Sequence, residues 1–318
     1  MSQFQIRHIT RYVYENMVRD SANQIMLYPL RDEYQEVLHH HVAITGNPMV
    51  NIHQDYFGNE VGTFTHAQPH RELVIDSQLK VVARARTLPV DNTPAEEQWR
   101  ELAQFHRNPL FIDFLKQERF EVLPEVTQVI ETKDLHHSTP LQAATQLCQY
   151  VYETFTYRKG ITTIETTVDE IWKIKSGVCQ DFAHILLVML RKLNIPARYV
   201  SGYICPNKSG MRGEGATHAW VEAYIPFYGW LGVDPTNNCL VNDTHVRLAV
   251  GKNFLDCSPV KGTYRGTSNH TLEVIVTVSY EDGHTYTGDE FADAPATTPA
   301  KSVYNNSFRK FQEMQMQQ

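Results

Sequence analysis

The spacing of apolar and polar positions changes character along the chain. In the first 85 residues, "FQIRHITRYVYE", "LHHHVAITG", "NEVGTFTHA" and "LVIDSQLKVVAR" are short runs rich in Val, Ile, Thr, Phe and Tyr. Gly46-Asn47-Pro48 and Phe57-Gly58-Asn59 punctuate them as turns, so the pattern predicts strands of a small antiparallel β domain. From Thr93 to Leu115 helix formers take over, and "TPLQAATQLCQYVYETF" predicts a second helix. Ser138 or Thr139 can cap it and Pro140 suits its first turn. Leu141, Ala144, Leu147, Cys148, Val151 and Phe155 then share one stripe, which places Cys148 in a core.

A third helix is expected from Cys179 to Leu193. Between Phe182 and Leu190 its only polar side chain is His184, so it is apolar nearly all round and belongs in the middle of its domain. Asn194-Ile195-Pro196 ends it. Strand patterns follow in "ARYVSGYI", "HAWVEAYI", "GWLGVD" and "TLEVIVTVSYED". Helices packed on an antiparallel sheet make the fold class α+β. The expected organisation is a β-sandwich-like domain over 1–85, a core with C-terminal strands over 86–287, and a polar, loosely held tail over 288–318.

Composition narrows the picture by exclusion. The formal charge is −7, which supplies no broad basic surface for nucleic acid or anionic membranes. The N-terminal "MSQFQIRHITRYVYE" carries polar and charged residues throughout where a signal peptide needs an apolar run, and no stretch reaches about 18 uncharged apolar residues. A cytoplasmic location is the expectation. The five cysteines are odd in number and widely spaced, so reduced thiols are expected. No C-x-x-C pair occurs. The runs His39-His40-His41 and His136-His137 cannot converge on one ion, because successive strand residues point to opposite faces. No metal or cofactor is expected.

Cys179 is distinguished by where it sits. A thiol attacks as thiolate, and a helix N-terminus favours that form through its free N–H groups and aligned peptide dipoles. The same N–H groups can receive an oxyanion. Gly177 would let backbone approach a substrate closely. The segment "THAWVEAYIPFYGWLGVDPTNN" supplies a base and a group to orient it. As strands, His218, Trp220, Glu222 and Tyr224 share one face and Ala219, Val221, Ala223 and Ile225 the other. A hairpin centred on Pro226 places His218 directly opposite Asp234, with Cβ atoms roughly 4.5–5.5 Å apart. It also pairs Trp220 with Gly232 and Glu222 with Trp230, unless a bulge at Gly229 moves the register.

"GVCQDFAH", "NIPARYVSGY", "HAWVEAYIPFYGW" and "VDPTNN" resemble, in this order, the bacterial transglutaminase-like superfamily, whose members share a papain-like Cys-His-Asp core. "HITRYVYE" and "DYFGNEVGTF" look like the β domain preceding that core in one bacterial branch, and "VGKNFLDCSPVKGTYRG" like the stretch joining it to the last strands. The resemblance implies Cys179 as nucleophile, His218 as base and Asp234 as orienting group. It implies a cysteine protease or amidase where water accepts the acyl group, and a transglutaminase where an amine does. Its substrate would be a peptide or protein amide. The joining stretch departs from the family's Gly-Arg-Asp-Tyr-x-Asp, reading Gly251-Lys252-Asn253-Phe254-Leu255-Asp256. A binding or scaffolding module that kept the fold and lost turnover is the rival reading, and the complete triad argues against it. Tyr157 is a candidate second oxyanion donor, Asp181 a support for the helix's first turn, and Trp220 and Trp230 candidate cleft walls. Cys205, Cys239 and Cys257 receive no role.

Overall fold

The computed structural model describes residues 1–117, 120–163, 166–205, 211–213, 217–266, 269–280 and 284–292, side chains of 288–292 excepted. Its N-terminal strands are β1 (Ser2–Ile25), β2 (Gln35–Ile44), β3 (Asn51–Gln54), β4 (Glu60–His66) and β5 (His70–Ala83). A mostly helical stretch follows with α1 (Ala95–Gln104), α2 (Pro109–Leu115), α3 (Leu123–Thr132), α4 (Pro140–Thr154), β6 (Thr156–Tyr157), α5 (Val168–Ile174), β7 (Ser176–Gly177) and α6 (Cys179–Lys192). The chain continues through β8 (Ala197–Ile204), β9 (Thr217–Ile225), β10 (Gly229–Asp234), β11 (Cys239–Leu240), β12 (His245–Gly251) and α7 (Phe254–Cys257). It closes with β13 (Val260–Arg265), β14 (His270–Tyr280) and β15 (Thr285–Ala292).

Strand β1 is the spine of the first sheet. Phe4, Ile6, His8 and Thr10 are buried at every second position, as a strand with one face on a core requires. Its first half pairs with β5 on one side and β14 on the other; after a register shift, its second half runs between β4 and β13. Side chains from both halves bury one core. The strand "TLEVIVTVSYED", expected with the helix-packed sheet, therefore belongs to the first sheet. Alternation reveals which face of a strand is buried but not which strand it pairs with. Of the tail expected from Gly288, residues 288–292 extend β15 and the remainder lies outside the described residues.

The second sheet has the order β11-β10-β9-β8-β12 and is antiparallel throughout. Ala219, Val221, Ala223 and Ile225 of β9 share a core with Leu147 and Val151 of α4 and with Phe182, Ile185, Leu186 and Met189 of α6. Each such side chain, apart from alanine, is worth about 1.5–3 kcal/mol on burial, which makes α6 the central helix the pattern predicts. The helix stops where Asn194 turns into the left-handed region (φ 61°) ahead of Pro196. Its two structural partners at the start and on the flank are Asp181 and His184. The Asp181 carboxylate accepts Val178 N–H (2.8 Å) and Thr162 Oγ1–H (2.7 Å), and His184 Nε2 accepts Phe254 N–H (3.2 Å).

The first sheet is joined to the second by side-chain amides. Gln35 donates to the Arg247 carbonyl (2.8 Å) and accepts from the Arg247 N–H (2.7 Å); Asn59 does the same with Val250, both at 2.8 Å. Edge strand β12 is thus covered as a further strand would cover it. Beside this seam Glu222 is fully buried, with Arg198 at 2.5 Å and Arg247 at 3.6 Å, and Arg247 also pairs with Asp32. Burial opposes the charge on Glu222, but Arg198, Arg247 and Arg86 hold its carboxyl below the usual range. Lys252 and Asn253, where the joining stretch departs from the family pattern, act through backbone and cap: Lys252 N–H donates to Asp256 (2.9 Å), and Asn253 accepts Leu255 N–H (3.0 Å).

Candidate active site

Cys179 is the first residue of α6 and is half-buried. Gly177 precedes it for a steric reason beyond substrate access: a Cβ there would stand 2.4 Å from Asp181 Oδ2, displacing the carboxylate that holds the helix's first turn. Parallel pairing of β6 with β7 sets Tyr157 against Gly177. The Arg158 N–H donates to the Gly177 carbonyl (2.9 Å), tying Tyr157's strand to the start of α6.

The parity of β9 is as the alternation predicts, with Ala219, Val221, Ala223 and Ile225 in the core shared with α6 and Trp220 in a separate cluster. The register is not. Trp230 pairs with Tyr224, Gly232 with Glu222 and Val233 with Val221, two residues along from the expected hairpin. The connection is longer, with Phe227 (φ 65°) and Gly229 (φ 102°) both left-handed, so the turn centres on Phe227 rather than Pro226. A shift of two preserves the face. His218 and Asp234 become diagonal neighbours and still meet, with His218 Nε2 2.9 Å from Asp234 Oδ2. Trp220 lies near His218 (ring centroids 6.1 Å apart), whereas Trp230 packs on Phe111, Phe114 and Tyr224 and lines no part of this cluster.

Asp234 is held on all sides. Oδ1 accepts Thr236 N–H (2.8 Å) and Asn237 N–H (3.3 Å); Oδ2 accepts, besides His218, Asn237 Nδ2–H (2.8 Å) and His245 Nε2–H (3.3 Å). The buried Cys148 thiol donates to the Asp234 carbonyl (3.3 Å), a structural role as its core position implied. Burial opposes ionisation of Asp234, but the charge and hydrogen bonds of His218 and His245 hold its carboxyl far below the usual range. In His218 burial works to lower the imidazole pKa. The charge and hydrogen bond of Asp234, then those of Cys179, outweigh it and push the value up to about 10. The rise that Cys179 causes in the ring's pKa places the thiol in its neighbourhood, while among the described residues the buried Nδ1 has no hydrogen-bond partner. Gly213 (φ 84°) passes over it so closely that a Cβ would lie 3.0 Å from Nδ1.

The sequence reading named Cys179, His218 and Asp234 and missed His245 and Asn237. Asn237 stands in the quoted "VDPTNN" and also ties the neighbouring loop, accepting Arg212 N–H (2.8 Å). His245 opens β12 and carried no local signal. His218, Asp234 and His245 offer ligand atoms within 4.8 Å of one another, a spacing that could hold a metal ion. In the arrangement described, both Nε2 atoms instead point N–H donors at one carboxylate.

The chain is similar to known proteins over most of its length. Residues 4–82 match the bacterial transglutaminase-like N-terminal region and residues 128–235 the transglutaminase-like superfamily core. An uncharacterised Mycobacterium bovis protein is 32% identical over 291 residues, covering 87% of this chain and 92% of its own. The crystal structure of a candidate cysteine protease from Cytophaga hutchinsonii shares the fold at a TM-score of 0.68 and 18% identity, covering 91% of this chain and 98% of that one. A Pseudomonas aeruginosa protein-glutamine gamma-glutamyltransferase is 33% identical over 113 residues, 33% of this chain and 17% of its own. The chain belongs to the transglutaminase-like superfamily, in the form that carries the bacterial N-terminal region ahead of the core.

Proposed function

We propose that this protein is a thiol-dependent acyl-transfer enzyme acting on amide carbonyls of peptides or proteins, with Cys179, His218 and Asp234 as its catalytic triad. The observation that carries the reading is the imidazole of His218: its Nε2 is bound to an ionised, fully buried Asp234, its Nδ1 is left without a partner among the described residues, and the Cys179 thiol at a helix N-terminus is close enough to raise the ring's pKa. The preferred state of that ring at neutral pH is the cation, which is the partner a thiolate needs.

In the reaction the Cys179 sulfur attacks the carbonyl carbon while the first-turn N–H groups of α6 stabilise the developing oxyanion. The C–N bond then breaks as His218 Nδ1 delivers its proton to the leaving amine, giving a thioester. Asp234 keeps the imidazole's tautomer and balances its charge throughout. Water, activated by His218, releases the acid, which makes the enzyme a protease or amidase. Attack by an amine on the same thioester gives transamidation, the chemistry named for the Pseudomonas relative. The five unbonded thiols suit a reducing compartment, and we place the enzyme in the cytoplasm.

The test is a mass-spectrometric screen of glutamine-containing peptides with and without a primary amine, comparing wild type with Cys179→Ala. Cleavage, deamidation or amine incorporation that vanishes in the variant supports the proposal. Activity that survives in Cys179→Ala removes it.

A further inference from the structure

His245 is fully buried beside the triad, yet it comes from a different strand and a different part of the chain. Its Nδ1 lies 3.0 Å from Thr244 Oγ1 and its Nε2 3.3 Å from Asp234 Oδ2. A carboxylate can only accept, so Nε2 carries the ring proton and Nδ1 receives the threonine hydroxyl. The ring stands edge-on to Trp220, at 5.1 Å between centroids and 76° between planes. The charged or titratable groups acting on it are Asp234 of β10 and His218 of β9; burial lowers its own pKa and keeps the ring neutral. Beneath it, β12 is held to the first sheet by Gln35 and Asn59.

We propose that His245 is a positioning residue of the triad, its Nε2–H fixing Asp234 Oδ2 so that the carboxylate presents one orientation to His218. This inference rests on the triad reading above. Asp234 Oδ2 is then set by three donors from three places: His218 on β9, Asn237 just after β10, and His245 on β12. The N-terminal domain acquires a task in the same stroke, because the amides of Gln35 and Asn59 hold the strand that carries the third donor. With that donor removed, the carboxylate can turn, the imidazolium loses its fixed counter-charge, and less of Cys179 is present as thiolate near neutral pH.

The experiment measures the rate of Cys179 alkylation by iodoacetamide from pH 6 to pH 10, using the full chain. His245→Phe keeps a ring against Trp220 and removes the donor; His245→Gln restores a donor; His218→Ala sets the floor. Thr244→Val leaves the ring and removes the hydroxyl that sets its tautomer. Loss of one hydrogen bond to a charged group predicts a fall of about tenfold at pH 6.5 in His245→Phe, with recovery in His245→Gln and a smaller fall in Thr244→Val. At pH 10 wild type and variants converge, because ordinary thiols are then ionised without help. The recovery in His245→Gln is the readout that a merely loosened fold would not give. Alkylation in His245→Phe equal to wild type across the range overturns the proposal, as does a deficit that persists unchanged at pH 10. Should His245→Phe fail to fold, Thr244→Val decides: a rate equal to wild type at pH 6.5 overturns the proposal. Wild type reacting no faster than His218→Ala would instead remove the triad reading itself, so the two failures are distinguishable.

Discussion

Replacing Asp234 by Asn tests how the site holds its charge. The side chain keeps its shape, but one acceptor oxygen becomes an NH2 donor, and the carboxylate oxygens now accept from His218, His245, Asn237 and two backbone N–H groups. Whichever way the amide turns, it points a donor at donors. The larger effect is on His218. Its pKa stands at about 10 against an ordinary value of 6.5, although its burial alone would lower it. At ~1.36 kcal/mol per pKa unit, the surroundings favour the cation by roughly 5 kcal/mol, most of it owed to Asp234. In Asp234→Asn burial is no longer outweighed, so His218 titrates below 6.5 and is neutral at pH 7. In a serine triad the equivalent change lowers kcat on the order of 10⁴-fold, and a loss of similar size is expected here. The assay is a pH titration of 15N-labelled histidine followed by NMR: wild-type His218 holds its proton past pH 8, and the variant loses it below 6.5. A variant whose His218 remains protonated at pH 8 would refute the assignment of the raised pKa to Asp234.

Other consequences are as direct. His218 is more basic folded than unfolded, so its stabilising contribution is full below pH 6.5 and is lost as pH rises through about 10; the urea midpoint of wild type should fall across that window more than that of His218→Gln. Glu222→Gln leaves Arg198 and Arg247 without their buried counter-charge and should cost about 3–5 kcal/mol in urea unfolding; a loss under 1 kcal/mol would show that water already solvates the site. Gly177→Ala drives a Cβ into Asp181 and should destabilise by about 1–3 kcal/mol while slowing Cys179 alkylation, both readable on one preparation. Asn59→Ala strips two hydrogen bonds from Val250 and should cost about 2–4 kcal/mol, with faster hydrogen exchange at the Val250 amide; unchanged exchange would mean that β12 is not held there.

What could be read from the amino-acid order was local, and what escaped depended on partners distant in the chain. The onset of α6 at Cys179 and the two faces of β9 follow from composition and a period of two, and both appear as predicted. The β9–β10 register failed by two residues because loop length sets it, and positive φ at Phe227 is not a preference that sequence alone would assign to phenylalanine. The site survived that error because an even slip leaves every side chain on its face. His245 was missed because β12 pairs with β8 across more than forty residues, and the valines, leucine and alanine of "HVRLAVG" fit many sheets equally. Helix α5 was legible and overlooked: Thr167 and Glu170 form a reciprocal capping box. The destination of β14 was not legible, since nothing within that strand distinguishes β1 from β9 as its neighbour.

The central claim is that Cys179 forms a thioester with the help of His218. It is tested most directly by mixing the protein with a small activated acyl ester and measuring its intact mass within the first turnovers, followed by peptide mapping. The account predicts a single acyl adduct on Cys179 in wild type, none in Cys179→Ala, and slow formation in His218→Ala at pH 7. An adduct of equal yield in Cys179→Ala, or one mapped to any of the other four cysteines, would contradict it.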